Sequence, residues 1–147
     1  DQGDLDGALN AFRESLAVSQ RLAASDPSHA GWQRDLSVSQ EKIGNVLRDQ
    51  GDLDGALNAF RESLAVRKRL AASDPSHAGW QRDLSVSLTK IAEIHEQQSE
   101  TALALPLAEQ SLSIDEWLSA LDKTNITWQK DVEVSREMVN RLREAIR

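Results

Sequence analysis

The stretch KIGNVLRDQGDLDGALNAFRESL, residues 42–64, contains the end of one helix, a turn and the start of another. Before the turn, Ile43, Val46 and Leu47 fall three or four apart and extend an apolar face that begins upstream at Trp32 and Leu36. Such spacing is that of a helix with one buried side. Gly51 ends it, since glycine takes the left-handed conformation that closes a helix. Asp52 follows, and its carboxylate suits the free amides of a new first turn. Beyond it, Leu53, Ala56, Leu57, Phe60, Leu64 and Leu70 form a second stripe that stops at Ser73, Asp74 and Pro75. Two apolar stripes joined by so short a turn predict an antiparallel helical hairpin.

The hairpin is repeated. The segment SDPSHAGWQRDLSVS stands unchanged at residues 25–39 and 73–87, and residues 1–48 differ from 49–96 at nine positions only: 19, 20, 40, 41 and 44–48. Residues 97–147 keep the register with changed letters, pairing Asp74 with Asp122, Trp80 with Trp128, Gln81 with Gln129, Asp83 with Asp131 and Ser87 with Ser135. The pattern predicts six helices, at 4–25, 29–50, 52–73, 77–97, 100–121 and 126–147, and an all-α fold, an α-solenoid of stacked hairpins. The expected organisation is a single array over 1–147: a half-unit 1–28, units 29–76 and 77–124, and a capping helix 125–147. A start at Asp1 rather than Met points to an excised fragment.

Composition narrows the chemistry. The 147 residues include no Cys and no Tyr, which removes disulfides, thiolate ligands and nucleophiles, and Tyr proton donors. With 17 Lys and Arg against 24 Asp and Glu, the net charge of −7 repels phosphate backbones and argues against nucleic acid. No apolar run approaches the ~20 residues of a membrane span. The opening residues lack the basic and apolar regions of a signal peptide, so the expected location is cytoplasmic, away from membranes. His29 and His77 are copies in a joint between helices. His95 replaces Leu47 on a core-facing position, and none of the three has a second ligand at i+4. Glu41, Glu93 and Glu137 are single acids without a paired carboxylate. No catalytic residue, metal site or cofactor is expected, and the chain reads as no enzyme.

The repeated joint reads as structure. Asp26 and Pro27 stop one helix and start the next, and Trp32 is placed to plug the end of the hairpin. The alternative is an exposed aromatic ladder of Trp32, Trp80 and Trp128. The recurring pairs Arg34–Asp35 and Arg82–Asp83 suit ion pairs or ties between helices. Trp117 replaces Arg21 and Arg69, and either packs on the last helix, the favoured reading, or marks a contact patch.

Residues 42–64 resemble the tetratricopeptide repeat, through Ile43-Gly44, Leu47 where the family usually has Tyr, Gly51 at the turn, and Ala56 four residues before Phe60. The opening half-unit matches through Ala8 and Phe12, the third through Ile91-Ala92 and Ala104, with Ala108 in place of Phe. Gln20, Lys68 and Glu116 stand where the family has Pro, and Gln40 where it has Trp. The period of 48 exceeds the family's ~34, which implies a variant with longer helices.

The resemblance implies a protein-interaction scaffold whose concave groove is lined by the first helix of each pair. On one helix the implied groove positions are Val38, Glu41, Lys42, Asn45 and Arg48. On the next they are Val86, Thr89, Lys90, Glu93 and Glu96, and on the last Val134, Glu137, Met138, Arg141 and Glu144. Seven of the nine differences between the first two copies lie on this helix. The acids there disfavour the carboxylate-ending peptides that some members grip, and favour a basic or mixed-charge protein or peptide. The alternative function is a self-assembling array. In it the unpartnered stripe of Ala8, Leu9, Phe12 and Leu16 meets Val132, Val139, Leu142 and Ile146 of another copy head to tail, with Arg136, Arg143 and Arg147 as a polar cap.

Overall fold

A computed structural model describes all residues, 1–147, and consists of six α-helices with no strand. They are α1 (Gln2–Ser25), α2 (Ala30–Asp49), α3 (Leu53–Ser73), α4 (Ala78–Gln97), α5 (Thr101–Leu121) and α6 (Ile126–Ile146). Every boundary lies within two residues of the expected one. No helix is long and apolar enough to cross a membrane.

The caps explain why the ends fall where they do. Asp1 and Asp52 accept hydrogen bonds from the amides of Asp4 and Gly55, satisfying donors that the first turn leaves open. The starts of α2 and α4 correct the reading of the Asp-Pro pair. Asp26 ends α1, but the starting device is His29, whose Nδ1 accepts from the Trp32 amide at 3.0 Å. His77 does the same for Trp80 at 3.1 Å, and Asn125 for Trp128 at 3.0 Å. Both histidines must carry their proton on Nε2 to accept there. Each ring also stacks on its tryptophan, with centroids 4.0 Å apart. The tryptophans are half-buried, clamped onto their own helix starts.

The chain forms two compact units, Asp1–Asp74 and Pro75–Arg147. In the first, α2 packs between α1 and α3. Its core gathers Leu9, Ile43, Val46 and Ala59, with Leu5, Ala8, Phe12, Leu16 and Leu47 partly buried against them. α2 covers the stripe on α1 only in part: Leu9 is buried, but Ala8, Phe12 and Leu16 stay half-buried where Ala56, Phe60 and Leu64 of the next copy are buried. Phe60 is 1% exposed and lies against Gly44 of α2, where no Cβ stands in the way. Burial of such a ring is worth roughly 1.5–3 kcal/mol.

In the second unit, α5 packs against both α4 and α6. Its core joins Ala92 of α4, Ala104 and Ala108 of α5, and Met138, Val139 and Leu142 of α6. Two expectations change here. Met138, 4% exposed, is a core residue and not a groove residue, because the register of α6 turns it towards α5. Val132, Val139 and Leu142 are likewise buried, so only Ile146 of the closing stripe faces outward. Trp117 is 40% exposed and lies beside Pro75, Gln81, Ser113 and Ile114, by the start of α4.

Candidate functional site

The positions singled out on α2, α4 and α6 have different surroundings. On α2, Lys42 is exposed with its Nζ 5.6 Å from the centre of the Phe12 ring, and Val38 is half-buried. Asn45 is half-buried, and its Oδ1 has no hydrogen-bonding partner. Arg48 turns to the adjacent Asp49, 3.4 Å away. Glu41 is not a free acid. Arg67 of α3, 2% exposed, reaches it through Nη1 at 3.2 Å and Nη2 at 3.5 Å, while its Nε donates to the Ser37 hydroxyl at 3.1 Å. A guanidinium so buried demands partners, and a carboxylate and a hydroxyl on the facing helix supply them.

On α4, the side chains of Val86, Thr89, Lys90 and Glu93 line one side of an open cavity of about 180 Å³. Val134 of α6 lines the other side, 58% exposed. Glu96, at the far end of the row, forms a two-pronged pair with Arg141 of α6, at 2.7 and 3.0 Å. That guanidinium holds the Glu96 carboxyl below its ordinary range. Glu137 is exposed, and Glu144 bonds Arg147 at 3.2 Å. The cavity thus brings together five of the expected residues, and Glu96 with Arg141 adds a tie alongside.

The floor of this cavity was not anticipated. It is Asp115 of α5, 4% exposed, whose Oδ1 accepts from the Ser85 hydroxyl at 2.5 Å. Ser85 is also bonded to Ser111, and Ser111 to Thr89 at 2.7 Å. Burial pushes the Asp115 carboxyl above the ordinary carboxylate range, and the charge of Asp131 pushes the same way, against the hydroxyls of Ser85 and Ser135 and the charge of Arg82. The guanidinium at the rim, Arg82, is committed to Asp131 through bonds of 2.8 and 3.3 Å. Arg82 therefore ties α4 to α6, as an interhelical reading of that residue required.

A signal for Asp115 did exist in the repeat. Positions 19, 67 and 115 read Ser, Arg and Asp, while 41 and 89 read Glu and Thr. Where the second helix carries Arg, the first carries Glu, and where it carries Asp, the partner is a neutral hydroxyl. Reading the differences position by position, without pairing them across helices, hides this coupling.

A larger cavity of about 570 Å³ lies in the first unit, among Pro27, Ala30, Gln33, Val66, Arg69 and Leu70. It has no buried charge, so it offers little to orient a ligand.

The family model described as Tetratricopeptide repeat matches residues 38–77, which run from the middle of α2 through α3 to the following joint. That segment is similar to a tetratricopeptide repeat, and the chain as a whole is an all-α helical repeat protein. Among curated proteins none matches the chain.

Proposed function

We propose that this protein is a protein-interaction scaffold that holds a basic or mixed-charge segment of a partner in a groove along the first helix of each hairpin. A tetratricopeptide repeat suggests such a scaffold, and members of that family generally bind proteins or peptides and are non-enzymatic. The observation that carries the reading is the cavity between α4 and α6, where Val86, Thr89, Lys90, Glu93 and Val134 meet around one opening. An apolar contact, a hydroxyl and charges of both signs are what a mixed segment needs. In the first unit, Val38, Lys42, Asn45 and Arg48 form the corresponding row, with Glu41 already neutralised by Arg67. The net charge of −7 draws a basic segment in and speeds its encounter.

A panel of fluorescent peptides, basic, mixed and acidic, tests it by anisotropy at low and high salt. A basic or mixed peptide is expected to bind and to weaken as salt rises, with Glu93→Lys lowering its affinity while the helical signal stays constant. Equal binding of acidic peptides, or none of any class, ends the reading.

A further inference from the structure

We propose that the cavity floored by Asp115 is a subsite for a single cationic side chain, an arginine or lysine of the partner segment. This rests on the scaffold reading for its biological source, but its chemistry stands on the pocket alone. The cavity, about 180 Å³, is ample where one water needs only ~10–15 Å³. Its deepest charged group is the Asp115 carboxylate; Arg82 attracts it across the cavity but bonds Asp131, so no cation is bonded directly to Asp115. A buried carboxylate bonded only to hydroxyls is under-compensated, and an incoming cation gains the full charge-assisted bond.

The first unit supplies the precedent within this chain. There the corresponding residue is Arg67, and its guanidinium rests on Ser37 and Glu41. In the second unit Ser85 replaces Ser37 in kind, Thr89 replaces Glu41, and Asp115 replaces Arg67. Ser63 and Ser111 keep the same bond to the facing backbone, at 2.8 and 3.2 Å, so the two hairpins share their frame. The guanidinium that one hairpin provides from its own α3 is absent from the other. In its place stand a carboxylate and an opening to solvent. Lys90 and Glu93 at the mouth offer charges of both signs to the backbone and flanking residues of the same segment.

The test uses Nα-acetyl-arginine methylamide as probe, with the citrulline derivative as its uncharged counterpart, followed by amide NMR shifts on the whole chain. The arginine probe is expected to shift residues around Ser85, Thr89, Asp115 and Ser135 in a saturable way. Asp115→Asn, nearly the same in shape, should weaken it by about tenfold or more, the effect of one charge-assisted bond. A second variant, Thr89→Glu with Asp115→Arg, rebuilds the network of the first unit inside the second and should fold and exclude the probe. Equal shifts from citrulline, undiminished binding by Asp115→Asn, or no saturable shift at all overturns the subsite. The peptide panel separates the two readings. Peptides that bind wild type and Asp115→Asn alike leave the scaffold standing and sink the subsite. A probe that seats as expected while no peptide binds upholds the subsite and sinks the scaffold.

Discussion

Gly44 and Phe60 fit each other: a Cβ built on Gly44 would come within 2.5 Å of the Phe60 ring, so the ring lies where a side chain on α2 would have been. In the second unit the corresponding residues are Ala92 and Ala108, both fully buried. One hairpin divides the space as nothing plus a ring, the other as two methyl groups. Two methyl groups fill less than a ring, and the space left over is taken by Met138 of α6, which packs in the same core as Ala92 and Ala108, as close-packed interiors require.

A double-mutant cycle should expose this coupling. Phe60→Ala leaves a cavity and is expected to destabilise by about 3–5 kcal/mol. Gly44→Ala overpacks the site and is expected to lose about 1–3 kcal/mol. In the double variant the new methyl occupies part of the space the ring vacates, so the total should fall at least ~1 kcal/mol short of the sum. Urea unfolding by circular dichroism gives all three values. Strict additivity would mean that the two positions relax independently and that the fit is incidental.

The turns carry a second comparison. Gly51 closes α2 with φ of 85°, and the corresponding Ser99 closes α4 with φ of 61°. Glycine occupies that region freely, whereas an L residue with a side chain is strained there by roughly 1 kcal/mol. Ser99→Gly should therefore stabilise the chain by up to about 1 kcal/mol, despite the added freedom of its unfolded state. An unchanged or lower melting temperature would show that the strain is relieved locally.

The helices, the Asp52 cap, the Gly51 stop and the Phe60 core were legible because each rests on local chemistry: apolar spacing, a capping carboxylate, a glycine. The His29 and His77 caps were not, since histidine carries no such mark. Met138 was misplaced because family register was carried onto α6, where the core of Ala104 and Ala108 leaves room for a long side chain. Asp115 was missed for a different reason. A single Asp on a helix reads as surface, and only the facing Ser85 and the overlying α6 bury it. Such burial is a tertiary fact with no local mark, visible in sequence only as the joint change of two residues on different helices.

The Arg67–Glu41 pair predicts unequal responses. With Arg67 2% exposed, Glu41→Ala takes the carboxylate from a buried guanidinium, leaving neutral partners such as Ser37, and should cost about 3 kcal/mol. Exchanging Arg67 itself for Met retains the volume and removes the charge, and is expected to cost far less, within about 1 kcal/mol. Thermal and chemical denaturation of the two variants check the order. If Arg67→Met is the more damaging, the ion pair contributes net stability and the desolvation argument fails for this hairpin.

The pH dependence of the second unit should carry the signature of Asp115. Its carboxyl titrates above the ordinary value because burial and the charge of Asp131 outweigh the hydroxyls of Ser85 and Ser135 and the attraction of Arg82, which act to lower it. Lys90 and Glu93 stand at the mouth of the same cavity. Below the unfolded value, roughly 3.9, the group is protonated in both states and contributes no difference. As pH rises through that value the unfolded chain releases its proton first, so the native state holds more protons and stability falls. The loss is complete once pH passes the raised native value. Glu96 slopes the other way, because Arg141 holds its carboxyl low: its contribution is present above the unfolded value and fades as pH falls. Being a largely solvent-facing pair, it is worth no more than about 1 kcal/mol. Asp115→Asn removes the first slope and leaves the second. The variant should gain stability over wild type as pH rises from about 3 to 7, with the two nearest at the acid end. Urea midpoints measured for both proteins across that range decide it. A constant gap between the two curves would mean that Asp115 titrates as it does in the unfolded chain, and that its burial is compensated by its hydroxyl partners.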